Sequence, residues 1–221
     1  TNLSDKFVHA ITTFEDKRFY NHPGIDVLAL GRAISDNLKE GRVVSGASTL
    51  TMQVARLARP GSPRTLFSKA VEAVAALKLE IFYTKDEILN LYASHAPFGG
   101  NVVGIEAAAW RYFGRKAENL SWAEAATLAV LPNSPALIHP GRNRKHLQEK
   151  RDRLLVNLHA PGIINGETLT LAQAEPLPTK PHRIPNHAPH LLNHHVRQTG
   201  ESQGHTTLVR SQQQMLTEVI E

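Results

Sequence analysis

Apolar residues recur at three- and four-residue intervals over most of the chain up to Pro132, which is the period of an amphipathic α-helix. Residues 5–20 carry Phe7, Val8, Ile11, Phe14 and Phe19 at that spacing, and Asp26 to Glu40 repeats the pattern until Gly41 stops it. Ser48 stands where it can cap a helix running to about Arg59, ended by Pro60-Gly61-Ser62-Pro63. Residues 65–83 form the longest pattern: Phe67, Val71, Val74, Leu77 and Ile81 make one stripe, and Lys69, Glu72, Ala76 and Glu80 share the opposite face. Thr84 with Glu87, and Ser121 with Glu124, have the spacing of capping boxes. They predict helices reaching about Ser94 and Pro132, with a further helix over 105–113 after the Gly99-Gly100 break. Strand-type alternation is nearly absent, so the predicted fold class is mainly α.

Composition fits one generous domain, or a domain with an appendage: 221 residues, 41% hydrophobic and 20% charged, which excludes wholesale disorder and fibrous repeats. The absence of cysteine excludes a disulfide framework, a thiolate zinc site and a cysteine nucleophile. No apolar run reaches the ~18–20 residues that span a bilayer. The chain opens on Thr1-Asn2-Leu3, already in a helix-like pattern and without an initiator Met or a signal peptide, and is therefore expected to be a piece of a longer protein. All thirteen aromatic residues lie between Phe7 and Trp122, whereas five of the thirteen prolines and five of the twelve histidines crowd into residues 176–195. That shift predicts a connector over 176–221, behind a domain of residues 1–175 whose boundary falls near 160–175. The histidines lack the regular spacing of a metal site.

The net charge of +5 is concentrated rather than spread. From Gly41 to Val71 there is no Asp or Glu, while Arg42, Arg56, Arg59, Arg64 and Lys69 supply five cations. Such a segment is either a solvated basic face or a surface for phosphate, nucleic acid or acidic headgroups. Glu15 falls inside the apolar stripe of its helix, between Val8, Ile11 and Phe19, where desolvation raises a carboxyl pKa and makes it a better base near neutral pH. A structural ion pair is the plainer alternative. Lys69 and Glu72, one turn apart, form either a solvent-facing pair or a cation and carboxylate lining a cleft. Gly46-Ala47-Ser48-Thr49 ahead of a helix offers backbone N–H groups and hydroxyls to an anion.

These residues carry a family resemblance. Glu15-Asp16 with Phe19, His22 and Gly24 resembles the E-D-x-x-F-x-x-H-x-G signature of the peptidoglycan glycosyltransferases, glycosyltransferase family 51. Gly46-Ala47-Ser48-Thr49-Leu50-Thr51 with Gln53 resembles its G-x-S-T-I/L-T-Q-Q motif, and Lys69 with Glu72 its R-K-x-x-E motif. Lys85, Ile88, Leu89, Leu91 and Tyr92 resemble K-x-x-I-L-E-x-Y, and the stretch from Gly104-Ile105 through Tyr112-Phe113-Gly114 to Leu131-Pro132 matches the remaining block. Met52, Ser68, Asn90 and Asn133 depart from the usual residues, and Arg56 stands for a lysine with its charge kept. The run from His95 to Gly100 is most similar to the penicillin-binding protein 1C branch.

The resemblance implies a lysozyme-like glycosyltransferase fold, with a head lobe and a smaller membrane-facing jaw lobe at about residues 41–68. In that jaw Leu50, Val54, Leu57, Leu66 and Phe67 would offer apolar contact and Arg42, Arg56, Arg59 and Arg64 would meet headgroups. It implies catalytic roles for Glu15, as base, and Glu72, with Asp16, Phe19, His22, Ser48, Thr49, Gln53, Arg56 and Lys69 binding substrate. The implied reaction polymerises lipid II into β-1,4-linked glycan with inversion and release of undecaprenyl pyrophosphate. Mg²⁺ or Mn²⁺ would be carried mainly by the substrate pyrophosphate, with no dedicated metal site. The implied partners are lipid II, the growing strand, the membrane surface and a C-terminal transpeptidase domain, not nucleic acid. The implied place is the periplasm, or the outer face of the bacterial inner membrane, with an N-terminal transmembrane anchor. A glycan-cleaving enzyme on the same fold and a non-catalytic lipid II-binding module are the alternatives; a pyrophosphate leaving group calls for the cations, and a neutral glycan does not.

Overall fold

The computed structural model describes residues 3–41, 47–63, 65–133, 143–179, 181–182, 195 and 197–200. The chain divides into two compact units, Thr1–His182 and Arg183–Glu221. Among the described residues the first unit is helical: α1 (Asp5–Glu15), α2 (Val27–Glu40), α3 (Leu50–Leu57), α4 (Leu66–Phe82), α5 (Lys85–His95), α6 (Ile105–Phe113), α7 (Trp122–Val130), α8 (Arg144–His159) and α9 (Gly166–Ala174). An isolated bridge joins Pro97 to Val103, and two short 3₁₀ turns lie at Phe19–Asn21 and Ala117–Asn119.

The core is built around α7. Every residue from Ala123 to Val130 is buried, because four alanines let neighbours approach from all sides, and α1, α8, α6 and α9 pack on it. Phe7 and Ile11 of α1, with Leu154, Leu155 and Leu158 of α8, are removed from solvent, each contributing roughly 1.5–3 kcal/mol. Both capping boxes form, Thr84 with Glu87 opening α5 and Ser121 with Glu124 opening α7. α8 and α9 have no counterpart in the sequence expectation. Charged residues dominate α8, and the buried Arg151 sits inside its leucine stripe, donating to the carbonyls of Glu175 at 2.6 Å and Gln173 at 3.1 Å. Residues 173–179 dock on the helices: Leu177 is buried, and Arg144 donates to the carbonyls of Leu177 and Pro178.

Three local expectations change. α1 stops at Glu15 rather than near residue 20, since Asp16 leaves the helical region at φ −155° and ψ 76° and takes tertiary partners. Thr49, not Ser48, is the N-cap of α3, its Oγ1 accepting from the N–H of Met52 at 3.2 Å. The third concerns α4, whose apolar stripe points outward: Phe67 is 77% and Ile81 75% exposed, whereas Glu72 and Ala76 are buried. Ala76 lies inward because the backbone of Gly24 comes up against it. A Cβ on Gly24 would sit 3.0 Å from the Ala76 carbonyl oxygen, and Gly24 has φ +89°. Leu50 and Val54, expected as lipid contacts, are core residues, while Leu66 and Phe67 are open to solvent. α2 is exposed along most of its length, including Val27, Leu28 and Leu38. Arg42 and Arg64 lie outside the described residues.

The Gly24 contact yields a prediction. Gly24→Ala combines an unfavourable φ with a clash against backbone that cannot rotate away, and should cost about 2 kcal/mol or more in urea unfolding. An unchanged midpoint would show that α4 is not held against this turn.

Candidate active site

Glu15 is the last residue of α1, and its carboxylate is half-sequestered. Its Oε2 accepts from Nε2 of Gln53 at 2.8 Å, while Oε1 is buried without a hydrogen-bond partner. Burial is the chief cause that lifts its pKa above the ordinary carboxylate range; the Gln53 hydrogen bond opposes it, the Asp16 charge adds to it, and Lys150 opposes it.

Asp16 fixes where Gln53 stands. Its carboxylate oxygens lie 2.9 and 3.1 Å from Nε2 of His22, and Oδ2 also accepts from the backbone N–H of Leu50 at 3.1 Å, the first residue of α3. From there α3 needs three residues to bring Gln53 round to Glu15. Thr49 assists by donating its hydroxyl to the Gly24 carbonyl at 2.6 Å. A second knot braces the same turn. Lys85 donates to the His22 carbonyl and to Glu80, each at 2.7 Å, and lies 4.4 Å from the centre of the Phe19 ring, while Glu80 accepts the Thr51 hydroxyl at 2.6 Å.

The motif resemblance assigns Phe19 and His22 to substrate binding. At 1% and 7% exposure neither presents a surface; they stand behind the site and support it. A cleft of about 150 Å³ is lined by Glu15, Asp16, Asp26, Ser48 and Thr49 together with Lys17, Arg18 and Arg32, and Arg18 lies 3.7 Å from the Asp26 carboxylate. Those three cations lie outside the acid-free segment, interleaved with acids along the chain, so charge clustering did not mark them. Arg56 and Glu72 meet in a two-bond fork at 2.9 Å each, and the Glu72 partner is therefore Arg56 and not Lys69 one turn away. Glu72 raises the pKa of the guanidinium it holds. Lys69 sits half-exposed on the first turns of α4.

Asp16, His22 and Asp26 bring ligand-type atoms within 4.8 Å of one another, all buried. They do not fit a hydrated divalent ion. The Asp16 oxygens already serve His22 and the Leu50 N–H, and Asp26 Oδ1 caps α2 by accepting from the N–H of Ala29 at 2.9 Å. Mg²⁺ keeps several waters and would have to break these bonds to enter.

The site thus holds a desolvated carboxylate in a cleft that carries both acids and cations. A family model described as Transglycosylase matches residues 1–159, and the chain belongs to that family. It is 40% identical over 188 residues to penicillin-binding protein 1C of Escherichia coli strain K12, covering 85% of this chain and 24% of that protein. Penicillin-binding protein 1A of Pseudomonas aeruginosa is 38% identical over 80% of this chain and 21% of its own length, and penicillin-binding protein 1F of Bacillus subtilis 36% identical over 76% and 24%. The chain thus spans 21–24% of these relatives. A crystal structure of penicillin-binding protein 1A from Haemophilus influenzae, 26% identical, covers 68% of this chain and 20% of that one with a TM-score of 0.40.

Charging Glu15 costs stability. Its folded pKa exceeds the unfolded one, so stability present at low pH is lost as pH rises through the folded value. Glu15→Gln should therefore raise the melting temperature by roughly 2–4 °C at pH 8 and give no gain at pH 4. Equal shifts at both pH values would mean that the side chain is not desolvated.

Proposed function

We propose that this domain polymerises lipid II, with Glu15 as general base. Glu15 takes the proton from the 4-hydroxyl of the acceptor sugar, that oxygen attacks C1 of the donor sugar, and undecaprenyl pyrophosphate leaves from the opposite face. The α-linked donor becomes a β-1,4 bond. The observation that carries this reading is the half-sequestered Glu15 carboxylate, its basicity raised by burial, in a cleft where Lys17, Arg18 and Arg32 stand beside Asp16 and Asp26.

Negative charge grows on the leaving pyrophosphate and is met by fixed cations. Lys69 and Arg56 are the residues for that task, and the Arg56–Glu72 fork gives the guanidinium one orientation while leaving it 41% exposed. Glu72 acts through Arg56 in this scheme. A carboxylate engaged by two hydrogen bonds is poorly suited to be the nucleophile of a retaining glycosidase, which disfavours glycan cleavage. Mg²⁺ or Mn²⁺ belongs to the substrate, held by its phosphates. Ser48 and Thr49, at the N-terminus of α3, face the same cleft.

Among the described residues no helix is long and apolar enough to cross a membrane. The exposed apolar residues of α2 and α4, with Arg59 nearby in sequence, suit contact with a bilayer surface. We place the enzyme at the outer face of the bacterial inner membrane, with residues 176–221 leading toward a transpeptidase domain and an anchor preceding the domain.

Incubation with labelled lipid II and gel separation of polymer from monomer tests the reaction. Glu15→Gln should lower the rate by ~10²- to 10⁴-fold, and polymerisation near the parent rate would end the assignment. For the membrane contact, Phe67→Ser with Ile81→Ser should weaken binding to anionic vesicles by about tenfold or more. Vesicle binding unchanged by the pair would place the contact elsewhere.

A further inference from the structure

Among the described residues four buried side-chain atoms have no hydrogen-bond partner: Oε1 of Glu15, the hydroxyl of Tyr92, Nδ1 of His22 and Oδ1 of Asn90. The first two are linked through the helices that carry them. Tyr92 is 1% exposed on α5, the helix that packs against α3, and α3 is the helix that delivers Gln53 to Glu15. The Glu15 charge acts on Tyr92 and adds to burial in keeping its hydroxyl protonated, so the group is a donor at every working pH. Leaving a buried hydroxyl and a buried carboxylate oxygen both unpaired is costly, and enclosed polar groups of this kind are commonly joined by a single ordered water.

We propose that Tyr92 is a positioning residue of this site: its O–H donates, through one enclosed water, to Oε1 of Glu15, so that two donors hold the carboxylate, Gln53 on Oε2 and Tyr92 on Oε1. The inference rests on the reading of Glu15 as base. Hydrogen bonds to the charged form of a carboxylate lower its pKa, whereas its burial raises it. Tyr92 therefore works with Gln53 against the desolvation that the apolar surroundings impose, and it limits the fraction of enzyme whose base is protonated. It touches no substrate, being enclosed in the core.

Among the described residues, the other charged groups about Glu15 are Asp16, which follows it in the chain, Lys150 of α8, and Lys17, Arg18, Asp26 and Arg32, which line the same cleft. Arg56 on α3 is engaged by Glu72. The ionisable residue of α7, Glu124, accepts from the Ser121 N–H and lies 3.5 Å from Arg115. Tyr92 is the member of this set that can be changed by one atom without altering charge.

Tyr92→Phe removes the oxygen and keeps the shape. In the lipid II assay, the acid limb of kcat/KM against pH should move up by about half a unit or more, with the plateau rate reduced less than about tenfold and KM nearly unchanged. A carbon-13 titration of the Glu15 carboxyl in the same variant reads that shift without turnover. A limb and a titration that both stay within about 0.2 unit of the parent overturn the proposal, because a merely packed tyrosine predicts no pH shift. That failure is separable from failure of the base assignment: an active Glu15→Gln removes the base, whereas an inactive Glu15→Gln with an unmoved Tyr92→Phe removes only the hydrogen bond.

Discussion

The bond from the Leu50 N–H to the Asp16 carboxylate is the constraint on which the site depends. α1 carries Glu15 to a point and stops, and the next side chain crosses to seize the first residue of α3, thirty-four positions on. That one acceptor ends a helix and starts another. It also sets the rotational phase of α3, since the helix repeats every 3.6 residues and Gln53 must come round to face Glu15. His22 grips the same carboxylate and Lys85 grips the His22 carbonyl, so the turn between α1 and α2 is tied to α5 as well. Glu15 stands on a frame of buried polar bonds rather than on loop geometry.

The two acids of the leading motifs meet desolvation differently. Glu15 has one donor and an open oxygen, so burial dominates and leaves it basic. Glu72 is buried too, but a guanidinium answers both of its oxygens. Paired burial of that kind fixes orientation more than it adds stability. Its value lies in making Arg56 a rigid cation instead of a mobile one.

Much of this was legible in the chain because short-range rules governed it. Both capping boxes, the helix over 105–113 and the stop at Gly41 follow from spacing alone, and Glu15 within an apolar stripe announced a desolvated carboxylate. The failures share a cause, which is a tertiary partner that periodicity does not see. The stripe on α4 looked like a core face, yet the small residues Gly24 and Ala76 decided which side turns inward. α8 was hidden by its charges, since a buried Arg151 bonded to carbonyls reads as a surface residue. Phe19 and His22 are buried, and a motif records position without recording whether the side chain faces a ligand or a neighbour.

The docked segment after α9 has a consequence for where this domain can be cut. Arg151 is enclosed, and its acceptors are the carbonyls of Gln173 and Glu175; Arg144 takes those of Leu177 and Pro178; and the N–H of His182 donates to the Arg111 carbonyl at 2.7 Å, while Arg111 donates in return to the His182 carbonyl. A chain trimmed at the end of its last helix would lose the carbonyls that Arg144 and Arg111 engage and fray the ones that accept from the Arg151 guanidinium, whose charge Asp152 balances at 2.8 Å. The folding unit is longer than its helices, and a proline-rich stretch that looks like packaging is one of its walls.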